Sequence, residues 1–231
     1  MIGRRLVPLL LDAGHAVVGT TRSQETAEEL KARGVEPVVV DVFDADALLE
    51  FAAWARPDGV IHQLTDLPDV IDPARLSEVL ARNSRLRIEG TSNLVAAARA
   101  AGVGRLIAQS IAFAYADGPE PHAETDPLNP ADGETPGAIT ARGVRALEEA
   151  VLNAPDIEGV VLRYGRLYGP GTWNTPNARA PLHVDAAAHA ALLALTRGAP
   201  GIYNIAEDDG AVAIGKARKE LGFDPGFRLK A

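Results

Sequence analysis

Apolar residues at Leu6, Leu9, Leu10 and Ala13 share one face of a helix that Gly3 opens and Gly14 closes as a left-handed cap. Residues 16–20 read as a short buried strand, with Arg22 at its carboxyl end. Ser23 can N-cap the next helix, which carries Glu25, Glu28 and Glu29 in its early turns and ends at Gly34. An apolar strand over 35–40 stops at Asp41. Asp44 caps a helix that runs through Trp54 and is closed by Arg56-Pro57. Residues 59–62 form another strand, and Asp72-Pro73 starts a long helix running through Asn83 and Asn93 to Gly102. The pattern continues with a strand over 105–109 that has Ser110 at its end, then a Pro/Gly-rich loop over 116–137. A helix over 139–152, a strand over 159–163 and a second Gly/Pro/Asn-rich loop over 164–181 follow. An Ala/Leu helix over 185–197, a strand over 201–205 and an amphipathic helix over 212–221 close the chain. Strands alternating with helices at this short spacing predict an α/β fold with a mostly parallel sheet.

The chain has 231 residues, 47% of them hydrophobic, which is enough for one sizeable core. A net charge of −8 speaks against a broad nucleic-acid footprint. Cysteine is absent, so disulfides and thiolate metal sites are excluded. No apolar run approaches the roughly 20 residues of a bilayer span, and no charged-then-apolar leader precedes the first helix. The expectation is a cytoplasmic, soluble protein. His15, His62, His122, His183 and His189 show no metal-ligand spacing, so no metal is expected.

Several short motifs recur in a particular order. They are Gly3 with Gly14-His15 and Thr21-Arg22, Asp41-Val42, Gly90-Thr91 with Asn93-Leu94, and Gln109-Ser110. Leu162-Arg163-Tyr164-Gly165, Tyr168-Gly169-Pro170-Gly171, His183-Val184-Asp185 and Tyr203-Asn204-Ile205 follow. In this order the chain resembles the extended short-chain dehydrogenase/reductase family, the NAD-dependent epimerase/dehydratase group. The resemblance implies a Rossmann-like, doubly wound sheet with a dinucleotide-binding core over 1–163 and a reduced substrate-side region over 164–231 packed on it.

The resemblance also assigns sites. Gly3 would be the last glycine of the phosphate loop, at a helix N-terminus facing the pyrophosphate. Arg22 would hold a 2′-phosphate, which favours NADP, with NAD possible; an ordinary surface arginine is the alternative. Asp41 and the Val42 backbone would meet the adenine, and a strand-ending Asp that caps its own turn is the alternative. His62, Gln63 and Leu64 would border the ribose and nicotinamide, or His62 would be a hydrogen-bonded core residue. Ser110 would touch substrate, although aligning Tyr115 with the family's tyrosine puts Ile111 at that position. Ser110 and Tyr115 are the catalytic candidates.

Three departures stand beside the resemblance. The strand and glycine turn that precede Gly3 in the family are missing. A central strand of that kind buries about five apolar side chains, at roughly 1.5–3 kcal/mol each. The expectation is that Met1 is an internal methionine of a longer product; otherwise the second strand pairs with the fourth or a strand is borrowed. The stretches at 173–183 and at 210–211 read as shortened. Finally, the family's Tyr-x-x-x-Lys pair should fall near 138–146, where the sequence is Ala-Ile-Thr-Ala-Arg-Gly-Val-Arg-Ala. Tyr115, Tyr164, Tyr168 and Tyr203 are followed four residues on by Pro119, Tyr168, Thr172 and Glu207, so the pair exists nowhere. Arg142 or Arg145 could supply charge, but arginine does not give up a proton.

The leading expectation is an NAD(P)-binding oxidoreductase, or an epimerase/dehydratase-like protein, acting by hydride transfer on a small carbonyl or hydroxyl substrate. The alternative is a non-catalytic dinucleotide-binding or protein-interaction relative. The resemblance implies a possible homodimer through the helices at 73–101 and 139–152, which serve equally as covers of the core.

Overall fold

The computed structural model describes residues 1–68, 72–172 and 175–229. Helix α1 (Ile2–Asp12) leads into β1 (Val18–Thr21), α2 (Gln24–Ala32), β2 (Glu36–Val39), α3 (Ala45–Ala55) and β3 (Gly59–His62). The caps form where the sequence puts them. Ser23 Oγ accepts from the Thr26 amide at 3.2 Å, and Asp44 Oδ1 accepts from Ala47 at 3.0 Å. Asp72 accepts from the Ala74 amide at 2.9 Å. The proline that follows opens a 3-10 turn (Pro73–Arg75) before α4 (Leu76–Arg85).

The expected long helix to Gly102 is not one regular element. A π-helical turn, Leu86–Gly90, separates α4 from α5 (Thr91–Ala100). Such a turn takes one more residue than an α-turn and so re-aims the side chains it carries. Next come β4 (Arg105–Ile111), α6 (Pro136–Leu152) and β5 (Glu158–Tyr164). The Gly/Pro/Asn-rich stretch is not wholly irregular, since it contains β6 (Arg166–Tyr168) and leads to β7 (Pro181–His183), which pair in parallel. Helix α7 (Val184–Ala194), β8 (Gly201–Ile205) and a short α8 (Gly215–Leu221) complete the order.

The main sheet is four-stranded and parallel, in the order β3-β4-β5-β8. Helices cover both of its faces. Ile107, Val160 and Leu162 point to the side of α1 and α7, while Leu106, Ala108 and Val161 point to α5 and α6. Because β8 pairs with β5, the C-terminal third of the chain is knitted into the main sheet.

β1 and β2 form a separate parallel pair. Among the described residues β1 does not pair with β3, so the sheet is divided where the Rossmann pattern would place a central strand. Helices bridge the division: α1 packs on α7 and α3 on α5. At the carboxyl end the Arg22 guanidinium lies 3.6 Å from Asp66, which also lies 3.7 Å from Arg82 on α4. The division shows in the burial. Val18 is 37% exposed, while Val60 and Ile61 are only half-buried.

Candidate functional site

Parallel strands deliver their ligands at the carboxyl ends, and the chemistry-bearing side chains of this chain gather there. At the end of β4 and β5 the centre is Glu148 of α6, which is buried. Its two carboxylate oxygens accept from Arg163 Nε at 2.8 Å and Nη2 at 2.6 Å. The same Oε1 accepts from Ser110 Oγ at 2.7 Å. Burial works against the Arg163 charge, but the bonds to Glu148 outweigh it and the pKa of Arg163 is raised. The guanidinium also lies 4.9 Å from the centre of the Tyr115 ring.

The sequence predicts Ser110 and Tyr115 as catalytic groups, and the structure gives each hydroxyl a fixed partner. Ser110 is buried against Glu148. Tyr115 donates to Asn204 Oδ1 at 2.7 Å and stacks on His122 with ring centres 4.9 Å apart. Burial is the largest influence on Tyr115 and raises its pKa. That is the opposite of the shift a lysine would produce in a proton-transferring phenol.

Helix α6 offers no replacement pair. Val144 is fully buried. Arg142 donates to the Gly133 carbonyl at 2.6 Å. Arg145 donates to those of Leu128 and Asn129 at 2.8 and 3.0 Å. Both arginines therefore hold the 116–137 loop on α6. Gly143 lets α4 come close on the other side, since a Cβ there would lie 2.8 Å from Ser84 Oγ.

At the end of β3, His62 is buried, with Nε2 3.0 Å from Thr91 Oγ1, while Nδ1 accepts from the Leu64 amide at 3.2 Å. An accepting Nδ1 assigns the proton to Nε2. Burial, with a smaller contribution from Arg87, pushes the His62 pKa down to about 4, so the ring is neutral. Gln63 turns the other way. Its Nε2 donates to Tyr164 Oη at 3.3 Å, while its Oε1 is buried with no partner. Gln109 Nε2 donates to the Leu64 carbonyl at 2.7 Å and fixes this turn.

The remaining cofactor candidates lie at the carboxyl ends of β1 and β2 and at the start of α1. A Cβ on Gly3 would meet nothing within 4 Å, and the first turn of α1 carries no acid. Arg22 is exposed apart from its approach to Asp66. Asp41 is exposed and accepts from the Phe43 amide at 3.0 Å, which closes its own turn. The Val42 side chain is buried against Gly90 and its carbonyl accepts from Asn93 at 3.0 Å. The open surface at Gly3 and the orphaned Gln63 oxygen fit a bound polar group. Among the described residues no cluster of His, Cys, Asp or Glu could hold a metal, and no helix is long and apolar enough to cross a membrane.

Beyond β4 and β5 opens a cavity of about 370 Å³, lined among others by Phe113, Tyr115, Glu120, His122, Arg166 and Arg179. That is at the small end of the range for ligand sites. Arg166 stacks over Phe113 at 4.4 Å. Ser110 is not among its lining residues.

The sequence reading does not single out Arg87, which lies in the π-helical turn. A signal was available: Asn83, Arg87 and Thr91 are polar at successive four-residue steps between the apolar Val79, Leu86 and Val95. The structure uses two of them at the site, Thr91 on His62 and Asn83 on the Thr65 and Asp66 turn.

Residues 1–181 match the NAD dependent epimerase/dehydratase family. A 3-diazoavenalumate denitrifying reductase from Streptomyces is 41% identical over 221 residues, which is 95% of this chain and 69% of that protein. A 4-hydroxy-2-methyl-3-oxo-4-farnesyl-3,4-dihydroquinoline-1-oxide ketoreductase from Stigmatella aurantiaca is 28% identical over 73% of this chain. The chain spans about half (48%) of that ketoreductase's length. The UDP-glucose 4-epimerase of Thermotoga maritima shares the fold, with a TM-score of 0.77 at 19% identity over 99% of this chain and 91% of its own. That of Thermus thermophilus, solved with NAD, gives 0.72 at 25% identity over 91% and 76%. The carboxyl-end cluster, the parallel sheet and these similarities converge: the chain belongs to the NAD-dependent epimerase/dehydratase family and is an NAD(P)-dependent oxidoreductase or epimerase-like enzyme.

Proposed function

We propose that the chain is a reductase that uses NADPH on a small electrophile whose reduction needs no proton from the protein. The observation that carries this reading is α6. Over 138–146, where the resemblance calls for a tyrosine and a lysine four residues apart, neither residue type occurs, Val144 is buried, and the nearby arginines are tied to a loop. Epimerisation at a carbinol requires a base to take the hydroxyl proton and return it, and carbonyl reduction requires an acid for the alkoxide. Neither group is supplied here by a primed phenol.

The nicotinamide, when bound, supplies the hydride. Gly3 and the α1 N-terminus would hold the pyrophosphate, Arg22 a 2′-phosphate, Asp41 and Val42 the adenine, and His62, Gln63 and Leu64 the nicotinamide end. Arg22, rather than an acid, after β1 supports NADP over NAD.

A diazo group on an aromatic ring suits a site without an acid. Ar–N2+ plus H− gives ArH plus N2, and both atoms and charge balance with no proton consumed. The Streptomyces relative, whose name describes a denitrifying reduction of a diazo compound, supports the same class. Ser110 and Tyr115 would act by position: Ser110 through Glu148, and Tyr115 as a wall of the substrate cavity.

The test is anaerobic NADPH oxidation on matched arenediazonium and aryl-aldehyde substrates, each measured against its protein-free rate. Turnover of the diazonium with little of the aldehyde is the expected result. The reverse preference overturns the reading.

A further inference from the structure

The cavity beyond β4 and β5 is lined by two arginines, Arg166 and Arg179. Arg179 is paired with Glu120, which lines the same cavity. Arg166 has no such partner. Among the described residues its guanidinium makes no hydrogen bond and no ion pair. It lies instead over the Phe113 ring, 4.4 Å from the ring centre, and is half-buried. Phe113 lines the cavity as well and is 41% exposed. Asp117, the other acid of the lining, is exposed and forms no ion pair with Arg166. His122 is already occupied, stacked on Tyr115 with its Nδ1 3.1 Å from Asp126 Oδ2.

The backbone fixes Arg166 at this place. It is the first residue of β6, and it follows Gly165, where a Cβ would collide with the Ala180 carbonyl oxygen. Its amide donates to that carbonyl at 2.7 Å, and it pairs with Pro181 of β7. A ring face attracts a guanidinium without neutralising it. Stacking also uses the face of the group and leaves the N–H donors at its edge free for a ligand.

We propose that Arg166 is the anion anchor of this cavity and that the ligand it selects is an aromatic carboxylate. One planar guanidinium matches one carboxylate in a two-bond fork, with a single charge on each side. A phosphate dianion calls for a second cation, and Arg179 is engaged by Glu120. The exposed part of Phe113, with Ala112, Ala180 and Val212 in the same lining, gives a flat ring an apolar surface to cover. A cavity of about 370 Å³ suits one ring and its acid. That this ligand is the substrate rests on the reductase reading; the carboxylate assignment is tested by binding alone.

The experiment measures affinity by calorimetry, with melting temperature as the fold control, for the full chain and for Arg166→Gln, Arg166→Lys and Phe113→Leu. Its probes are benzoate, the neutral isostere benzamide, the non-aromatic cyclohexanecarboxylate, and inorganic phosphate. Wild type should bind benzoate at least tenfold more tightly than benzamide or phosphate. Arg166→Gln should bring the benzoate-to-benzamide ratio close to one. It should melt close to wild type, because it removes no hydrogen bond and no ion pair. Arg166→Lys should keep the sign of the preference at reduced strength, and it carries the test if Arg166→Gln fails to fold. Phe113→Leu should lower the preference for benzoate over cyclohexanecarboxylate several-fold while leaving the preference over benzamide in place. Equal affinities for benzoate and benzamide in wild type, or binding of neither, overturn the proposal, as does a preference that survives in Arg166→Gln. Tighter binding of phosphate than of benzoate overturns the choice of carboxylate. An unchanged benzoate-to-cyclohexanecarboxylate ratio in Phe113→Leu overturns the aromatic half. Normal benzoate binding without NADPH turnover counts against the reductase reading alone, and turnover without benzoate binding counts against Arg166 alone.

Discussion

Glu148 on α6 and Arg163 on β5 form a buried, two-bond ion pair at 2.8 and 2.6 Å, and it is the joint between the helix and the carboxyl end of the sheet. Removing one partner strands the other charge inside. Glu148→Ala should therefore destabilise the chain by about 3–5 kcal/mol. Glu148→Met combined with Arg163→Met should recover a large part of that loss. Urea unfolding of the single and double variants checks this, and additive losses would contradict the pairing.

Ser110 donates to the same carboxylate, so its hydroxyl is structural before it is anything else. Ser110→Ala should lower stability by roughly 1.5–3 kcal/mol, the range for a hydrogen bond to a charged group. A melting curve superimposable on wild type would show that the bond contributes nothing.

His62 ties stability to pH. Its pKa is pushed down to about 4 in the folded chain, against 6.5 when unfolded. Between these values the unfolded chain binds the proton and the folded chain does not. Stability is therefore lost as pH falls from about 6.5 toward 4, by up to about 3 kcal/mol, and is unaffected by this group above 6.5. Urea midpoints across that window should fall more steeply for wild type than for His62→Gln. Parallel slopes would refute the assignment.

Arg22 is the expected discriminator between cofactors, and Asp66 at 3.6 Å partly screens it. Arg22→Glu should weaken NADPH by at least tenfold and NADH by much less, as read by isothermal titration. Equal losses would contradict the choice of NADP.

Much of this architecture was legible in the sequence because its causes are local. Ser23, Asp44 and Asp72 are short polar side chains ahead of helical stripes, and each caps as expected. The strands ending at His62 and Ile111 follow from their apolar runs. What was not legible depends on tertiary partners. Nothing in Leu86–Gly90 announces a π-helical turn, because an extra residue in a helix is stabilised by what packs around it. β6 and β7 are three residues each, too short for periodicity, and exist because they pair with one another. The hydrogen-bond partners of Ser110 and Tyr115 are likewise distant, Glu148 and Asn204 lying 38 and 89 residues away.

Hydride reduction in a site that supplies no proton is tested most directly by stoichiometry. Dinitrogen released and NADPH oxidised should be measured together, anaerobically, on an arenediazonium substrate. One N2 per NADPH, above the protein-free rate, is the expected result. NADPH oxidised without N2, or no oxidation above that rate, would contradict it.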